Sequence, residues 1–593
     1  MYKESSHIGI SYIKHHKIQF SLIAKNGIIL KTRQEMKVTR KGSKGMSAKN
    51  VLILGGVAAG TKVAAKLKRE NRDFNVTILT AGKDISYAGC GLPYYVGDVI
   101  HEKGELIVNT PEKFQKLTGV KVLTETEATA VNPDTKTVEA KNLKTGETNT
   151  YSYDKLVIAT GASPFVPDIP GRELKNVFVM RTPDDAISLR EAVESGSIKK
   201  AVVAGGGFIG LEVAENLAAQ GVKVSVIDFA PHVLPNFLDP EMSEYVENVM
   251  AEAGIMPMTG VALEGVIGTE KVEKVQTSKR AMKADALIMA IGIRPNTAFL
   301  EKTGIEMFKG TILTDKYLQT NLPDIYAVGD CAMVTNRETG KPAWSPMGST
   351  ANIAGRLLAK NIAGAQIEYP GVLGTGVAKL PGGICTGRTG LTETAAVAEG
   401  YKVVTVISVV DDKAHYYPGA GSFIIKMVAD KDTRKLLGVQ VLGKGAVDKI
   451  TDIAVTAISL GATVDQLVSM DFAYAPPFST AIHPFAHTAN ILLNKMEDQF
   501  NTFTPVEYAD GAAEDYRIID CAIQPSLPAY PYLDLTKIDG EVPGFGKDEK
   551  LLLVCAKGKR AYMVQNRLKY YGYTNTRVLE GGTTFNTQIA EEE

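Results

Sequence analysis

In the stretch SYAGCGLPYYVG, Ser86 to Gly97, one cysteine sits between glycines just after a strand-like run. No second thiol lies close to it in sequence: position 85 is Ile, 93 is Pro and 95 is Tyr. Cys90 therefore has no partner for a redox disulfide within its own loop and must draw its sulfur partner from a substrate. Pro93 is tolerated in the first turn of a helix, which predicts a helix beginning beside Cys90 whose dipole favours thiolate. A second candidate is Cys555, which ends the apolar run LLLV and opens the loop CAKGKR. A loop of this kind curls backbone N–H groups around sulfur. Lys557, Lys559 and Arg560 add positive charge, so a thiolate or persulfide is expected there. His483 and His487 are spaced i, i+4, but no third ligand accompanies them, so no metal site is expected.

Two glycine-rich turns must position these groups. NVLILGGVAAGTKVAAKLKRE reads as strand, tight turn, helix, with Gly55 and Gly60 in the turn and Val57 at the usual second glycine. KKAVVAGGGFIGLEVAENLAAQGVKVSVIDF carries the full pattern at Gly205, Gly207 and Gly210. Asp228 ends the next strand, where an acid holds the ribose hydroxyls and repels a 2′-phosphate, so NADH is expected in preference to NADPH. Both turns would present backbone N–H groups and a helix dipole to a pyrophosphate. KLVIATGASP, ALIMAIGIRPN and LPDIYAVGDCA each read as a buried strand ending in a glycine turn, marking Gly161, Gly329 and Asp330.

This set of motifs, in this order from about Asn50 to Asn494, resembles the pyridine-nucleotide disulfide oxidoreductase family. The resemblance implies a first fold that binds FAD, an inserted second fold that binds NADH, and Asp330 beside the FAD ribityl chain. At Thr80 an acid usually grips the FAD ribose, and this chain lacks it. SYAGCGLPYYVG resembles the coenzyme A-disulfide reductase branch, whose single flavin-side cysteine precedes Gly-Leu-Pro-Tyr-Tyr. The oxidase and peroxidase branch carries a His in its first glycine turn, and here that position is Ala58.

Coenzyme A, as substrate or as a bound ligand, requires cations for its phosphates. Lys62, Lys66 and Arg69 fall on one face of the first helix, and Lys and Arg suit phosphate. The resemblance adds Ser86 and Asn352 to that site. The branch's Lys-Asp-Pro is replaced by Ile482-His483-Pro484. HYYPGA and DFAYAPPFS resemble the branch's dimerisation motifs, which implies that Tyr417 and Tyr474 reach the partner subunit's Cys90 site, as proton donors or as packing. His483-Pro484 is also half of a His-Pro proton-carrier motif, with Thr488 where that motif has Glu. CAKGKR resembles the rhodanese active-site loop Cys-x-x-Gly-x-Arg, although Asp520-Cys521-Ala522 stands where rhodaneses have Asp-Val-Arg.

The 593 residues are 45 % apolar and 22 % charged with zero formal net charge, which gives no sign of a nucleic-acid or membrane partner. Five scattered cysteines with no Cys-x-x-Cys argue against a disulfide framework and fit a reducing cytoplasm. The first 49 residues hold eleven Lys or Arg against two Glu, and read as a basic extension, either a disordered tail or an over-extended reading frame, with Met46 the expected native start. The expected fold class is α/β: two Rossmann-like dinucleotide-binding domains for FAD and NADH, an α+β dimerisation domain and a small α/β rhodanese-like domain. The expected boundaries are FAD-binding 50–164 and 289–368, NADH-binding 165–288, dimerisation 369–494, a linker 495–514, and rhodanese-like 515–593. The expected function is NADH-dependent reduction of coenzyme A disulfide, persulfide or polysulfide by a homodimer, coupled to a sulfur-carrying domain. The alternatives are an NADH oxidase or peroxidase, and a non-catalytic persulfide carrier or redox sensor.

Overall fold

The computed structural model describes residues 49–590, so the basic extension and the proposed start at Met46 lie outside the described residues. Four sheets organise the chain. In the first, the strand Asn50–Leu54 lies at the centre. Asn75–Leu79 and Lys121–Leu123 are on one side, and Lys155–Ile158 and Ile325–Ala327 on the other, all parallel. The second sheet repeats this plan: Lys200–Ala204 is central, flanked by Lys223–Ile227 and Met256–Met258 on one side and Ala286–Met289 and Val177–Val179 on the other. The chain leaves the first fold through Ala162–Pro164 and returns through Ile293–Pro295. These two short strands pair with each other, so the second fold is an insertion into the first.

The expected strand–turn–helix readings are the ones that form. The helix Ala59–Glu70 buries Val63, Ala64 and Leu67 on one face, and Lys68 and Arg69 complement the dipole in its last turn. It packs against the helix Gly348–Ile362. A Cβ on Gly355 would come 3.0 Å from the Ala59 carbonyl, so this crossing needs a small residue.

The third sheet is antiparallel, in the order Gly376–Leu380, Ile384–Gly390, Leu436–Gly443, Ser422–Asp430, Val403–Asp411. Both its faces are covered, which is why FII and MVA, on either side of Lys426 in SFIIKMVAD, are apolar throughout rather than alternating. The helices Val447–Ser459 and Pro484–Met496 cover one face through Ile450, Ala454, Phe485 and Ala489. The other face meets the second fold through Ile407, Val409 and Ile424. On that face Lys426 is buried, and its ammonium pairs with Asp239 at 3.0 Å, with Glu393 at 2.6 Å and with Glu241. The three carboxylates that could have suggested a metal site thus converge on a lysine.

The fourth sheet is parallel, in the order Thr502–Phe503, Thr576–Leu579, Leu551–Val554, Arg517–Asp520. Its edge strand corrects the reading of 495–514 as a linker. Thr502–Phe503 belongs to the sheet, and the helix Pro505–Ala509 follows, capped by Thr504 and Glu507. Two residues are too few to show a periodicity, but the Thr-x-x-Glu capping box was present as a signal. Glu580 ties this sheet to the third one. Its buried carboxylate accepts from the Ile407 N–H at 2.9 Å, from Lys495 Nζ at 2.6 Å and from Thr502 Oγ1 at 2.7 Å.

Candidate active site

The two glycine turns have the same construction. Gly55 and Gly205 have φ of 108° and 111°, and a Cβ on either would meet a carbonyl of the neighbouring strand's end, Ala159 O at 2.1 Å or Ala290 O at 2.2 Å. At Gly60 and Gly210 a Cβ would fall 1.9 Å from the carbonyl of Gly55 or Gly205, so the helix can start only with glycine there. Gly207 faces open space, the room that a pyrophosphate needs. Asp228 reaches the second turn: its Oδ2 accepts from the Gly206 N–H at 2.6 Å and its Oδ1 from the Ala230 N–H at 2.7 Å. In the first turn Thr80 takes the matching place, 3.2 Å from a Cβ position on Gly56. Both turns fit a dinucleotide, and no carboxylate stands at Thr80.

Gly161 and the Gly329-Asp330 turn converge on the first glycine turn. A Cβ on Gly329 would sit 3.0 Å from Ala59 Cβ, and one on Gly161 would sit 3.3 Å from Arg181 Nη2. Arg181 Nη2 binds the Asp330 carboxylate at 2.9 Å. Ser86 lies against the same turn. Its N–H donates to the Gly56 carbonyl at 2.9 Å, and its φ of 50° bends the chain toward Cys90.

Cys90 occupies a short 3₁₀ turn, Gly89–Gly91, followed by the five-residue helix Leu92–Val96. Cys90 as a residue is exposed, while its sulfur lies against the surrounding protein. The groups around the sulfur work against the thiolate that the helix start would favour. The protein mass around the sulfur pushes the thiol up, the Glu212 and Asp330 carboxylates push it further, and Arg181 opposes them. Glu212 belongs to the helix Phe208–Ala219 and accepts from the Tyr94 hydroxyl at 3.0 Å. Burial raises its carboxyl to about 7, although the Tyr94 hydrogen bond pulls it down. Arg190 fixes the segment after Cys90. Its Nη1 donates to the Tyr95 and Ile100 carbonyls, each at 3.0 Å, and its guanidinium lies over the Tyr95 ring.

The substrate-side residues are spread over two packed helices. Lys62 lies beside Gly355, and Asn352 lies one turn before Gly355, its Nδ2 bound to the Gly348 carbonyl at 2.8 Å. Lys66 is paired with Glu70, which leaves Lys62 and Arg69 as the face's cations without an ion pair among the described residues. Tyr417 and Tyr474 are on exposed loops of the third sheet's unit, and Tyr474 hydrogen-bonds Tyr416. His483 caps the helix Pro484–Met496. It is buried, stacks on Phe472, accepts the Phe485 N–H at 3.2 Å as the cap of its helix, and burial and Lys449 pull it down to about 4.

The Cys555 loop ends at the N-terminus of the helix Lys559–Tyr570, with Gly558 at φ 77°. The Ala561 N–H donates to Cys555 Sγ at 3.4 Å, so backbone does turn toward the sulfur. The expected pool of positive charge is smaller than the sequence suggested. Lys557 binds Asp411 at 2.5 Å, and Arg560 binds Asp534 at 3.0 Å. A cavity of about 550 Å³ adjoins the loop, lined by Lys557, Gly558, Lys559, His487, Phe500 and Met563 among others.

Residues 49–351 match the family model described as pyridine nucleotide-disulphide oxidoreductase, and 384–486 match that family's dimerisation domain. An NADH oxidase of Methanocaldococcus jannaschii is 36 % identical over 449 residues, 76 % of this chain and 99 % of that protein. An NAD(P)H coenzyme A polysulfide/persulfide reductase of Pyrococcus horikoshii is 36 % identical over 445 residues, 75 % of this chain and 98 % of that protein. The solved structure of an NAD-dependent persulfide reductase from A. fulgidus superposes with a TM-score of 0.86 at 35 % identity, over 90 % of this chain and 99 % of that one.

This chain belongs to the pyridine nucleotide-disulphide oxidoreductases. As a member of that family it is an oxidoreductase, and its two repeated glycine turns and antiparallel third sheet are the family's parts. Neither family model extends past residue 486, so the Cys555 unit lies beyond both. Sequence reasoning missed Glu212, Arg181, Arg190 and Tyr94, which surround or brace Cys90 in this oxidoreductase. One signal was readable: Glu212, Glu215 and Asn216 interrupt the apolar FIGLEVAENLAA, and a carboxylate on a buried helix face calls for a use. Among the described residues no helix is long and apolar enough to cross a membrane.

Proposed function

We propose that the protein is a homodimeric, FAD- and NADH-dependent reductase of coenzyme A disulfide, coenzyme A persulfide or polysulfide, and that Cys555 carries sulfane sulfur for it. The observation that supports this most is the exposed Cys90, set between Asp330 of the first fold and Glu212 of the second, with no second thiol in its own loop. Gly55, Gly60, Gly161, Gly329 and Asp330 would hold FAD; Gly205, Gly207, Gly210 and Asp228 would hold NADH. When bound, these cofactors supply the two electrons that a sulfur acceptor takes up.

The chain's own residues do the sulfur chemistry. Cys90 thiolate attacks the S–S bond of the substrate, keeps one sulfur in a mixed disulfide or persulfide, and releases the other as thiol or hydrosulfide. Glu212, with its carboxyl near neutrality and the Tyr94 hydroxyl on it, can hold or release a proton close to Cys90 at physiological pH. Lys62, Lys66 and Arg69, with Ser86 and Asn352, would hold the coenzyme A phosphates, Lys66 giving up Glu70 to do so. Tyr417 and Tyr474 would line the partner subunit's site. The exposed Tyr416, Tyr417, Tyr474, Phe478 and Ile482 give one chain an aromatic surface suited to a second copy. Five free thiols favour a reducing cytoplasm.

The test is steady-state NADH oxidation with coenzyme A disulfide, coenzyme A persulfide, polysulfide and oxygen as acceptors, in the parent, Cys90→Ser and Cys555→Ser. Turnover of a sulfur acceptor that is lost in Cys90→Ser supports the reading. Oxygen consumption that persists in Cys90→Ser, with no turnover of any sulfur acceptor, replaces it with an oxidase.

A further inference from the structure

Cys555 has a neighbour that the loop motif does not call for. The strands Arg517–Asp520 and Leu551–Val554 are parallel with Asp520 opposite Val554, and the Cys521 N–H continues the ladder by donating to the Val554 carbonyl at 2.7 Å. The next position pairs Cys521 with Cys555. Facing residues of a parallel ladder project to the same side, and Ile519, Cys521, Leu553 and Cys555 do share one apolar cluster. Neighbouring strands lie about 4.8 Å apart, within the Cα separation that a disulfide spans. Both thiols are free, and both are buried, Cys521 fully and Cys555 at 5 % exposure. Cys521 is held firmly in place, because the Asp520 carboxylate accepts from the N–H groups of Ala522, Ser526 and Leu527 in the turn that follows.

We propose that Cys521 is the resolving thiol of Cys555, so that a persulfide on Cys555 is discharged within the domain as hydrogen sulfide. The Cys521 sulfur attacks the Cys555 sulfur. The bond from Cys555 to its sulfane sulfur breaks, and a Cys521–Cys555 disulfide forms. The Cys521 proton leaves with the sulfane sulfur, which is reduced to hydrogen sulfide while the two cysteine sulfurs are oxidised by one electron each. Two molecules of a low-molecular-weight thiol then reopen the disulfide and leave as their own disulfide, the class of substrate assigned above to Cys90. Burial and the neighbouring Cys555 hold the Cys521 thiol above its ordinary value, so attack is slow and the persulfide can first be passed to another acceptor.

This inference rests on Cys555 as a sulfur carrier, and its test keeps the two apart. The full chain in a Cys90→Ser background is reduced, loaded with inorganic polysulfide, desalted and sampled over time by N-ethylmaleimide quenching. Released sulfide is measured, and non-reduced peptides are mapped by mass spectrometry. Release of sulfide in step with a Cys521–Cys555 cross-linked peptide is expected. Cys521→Ser and Cys521→Val are both expected to keep the Cys555 persulfide roughly tenfold longer or more, because the intramolecular attacker is gone. Equal persulfide lifetimes in parent and both variants, or sulfide release without the cross-link, overturn the resolving role alone. Failure of Cys555 to load in the parent overturns the sulfur-carrier reading and this inference with it.

Discussion

Glu212→Gln separates the charge of the Cys90 surroundings from their shape. Burial raises the Glu212 carboxyl from 4.5 to about 7 despite the opposing Tyr94 hydrogen bond. That rise corresponds to at most about 3–4 kcal/mol of charging cost, at 1.36 kcal/mol per pH unit. Between these two values the folded chain keeps a proton that the unfolded chain has released. Stability from this group is therefore intact below 4.5 and declines as pH rises through about 7. Gln keeps an acceptor for the Tyr94 hydroxyl and removes the charge. The variant should melt with the parent near pH 5 and above it near pH 8, by on the order of 5 °C. The same change removes a carboxylate that raises the Cys90 thiol, so iodoacetamide should alkylate Cys90 with a lower pH midpoint. Scanning fluorimetry and alkylation rates across pH read the two effects separately. A melting difference that is flat with pH, together with an unmoved Cys90 midpoint, would refute the argument that Glu212 is raised and acts on the thiol.

Lys426→Met strands three carboxylates around a buried position and should cost about 3–5 kcal/mol, read as a large drop in thermal midpoint; a drop of less than about a degree contradicts the buried-cluster argument. Gly210→Ala drives a Cβ into the Gly205 carbonyl and should abolish NADH binding by fluorescence titration while leaving bound flavin absorbance; Gly60→Ala should do the reverse. Glu580→Ala leaves the buried Ile407 N–H without an acceptor, at about 1–3 kcal/mol, and should make the chain cleavable near residues 497–501 in limited proteolysis.

What the sequence made legible is local. The strand-to-glycine turns at Gly55 and Gly205 announce themselves because a φ of 108° or 111°, and a carbonyl 2.1 or 2.2 Å from any Cβ, leave glycine as the residue that fits. What stayed hidden depends on segments distant in sequence. The Cys90 thiol is raised first by the protein mass around it and then by Glu212 and Asp330, which come from different elements, and none of this shows in the helix start beside it. Lys557 and Arg560 looked free in CAKGKR until the fold paired them with Asp411 and Asp534. Cys521 looked like a departure from a motif, and only the strand register shows it facing Cys555.

The central claim is that Cys90 takes its sulfur partner from the substrate rather than from a second cysteine of its own loop. The most direct measurement is mass spectrometry of the acid-quenched chain after reaction of the reduced protein with stoichiometric coenzyme A disulfide in the absence of NADH. The account predicts one coenzyme A mixed disulfide per chain on the Cys90 peptide, lost in Cys90→Ser and reversed by NADH. Absence of that adduct, with Cys90 instead converted to sulfenic acid by peroxide and restored by NADH, would contradict it.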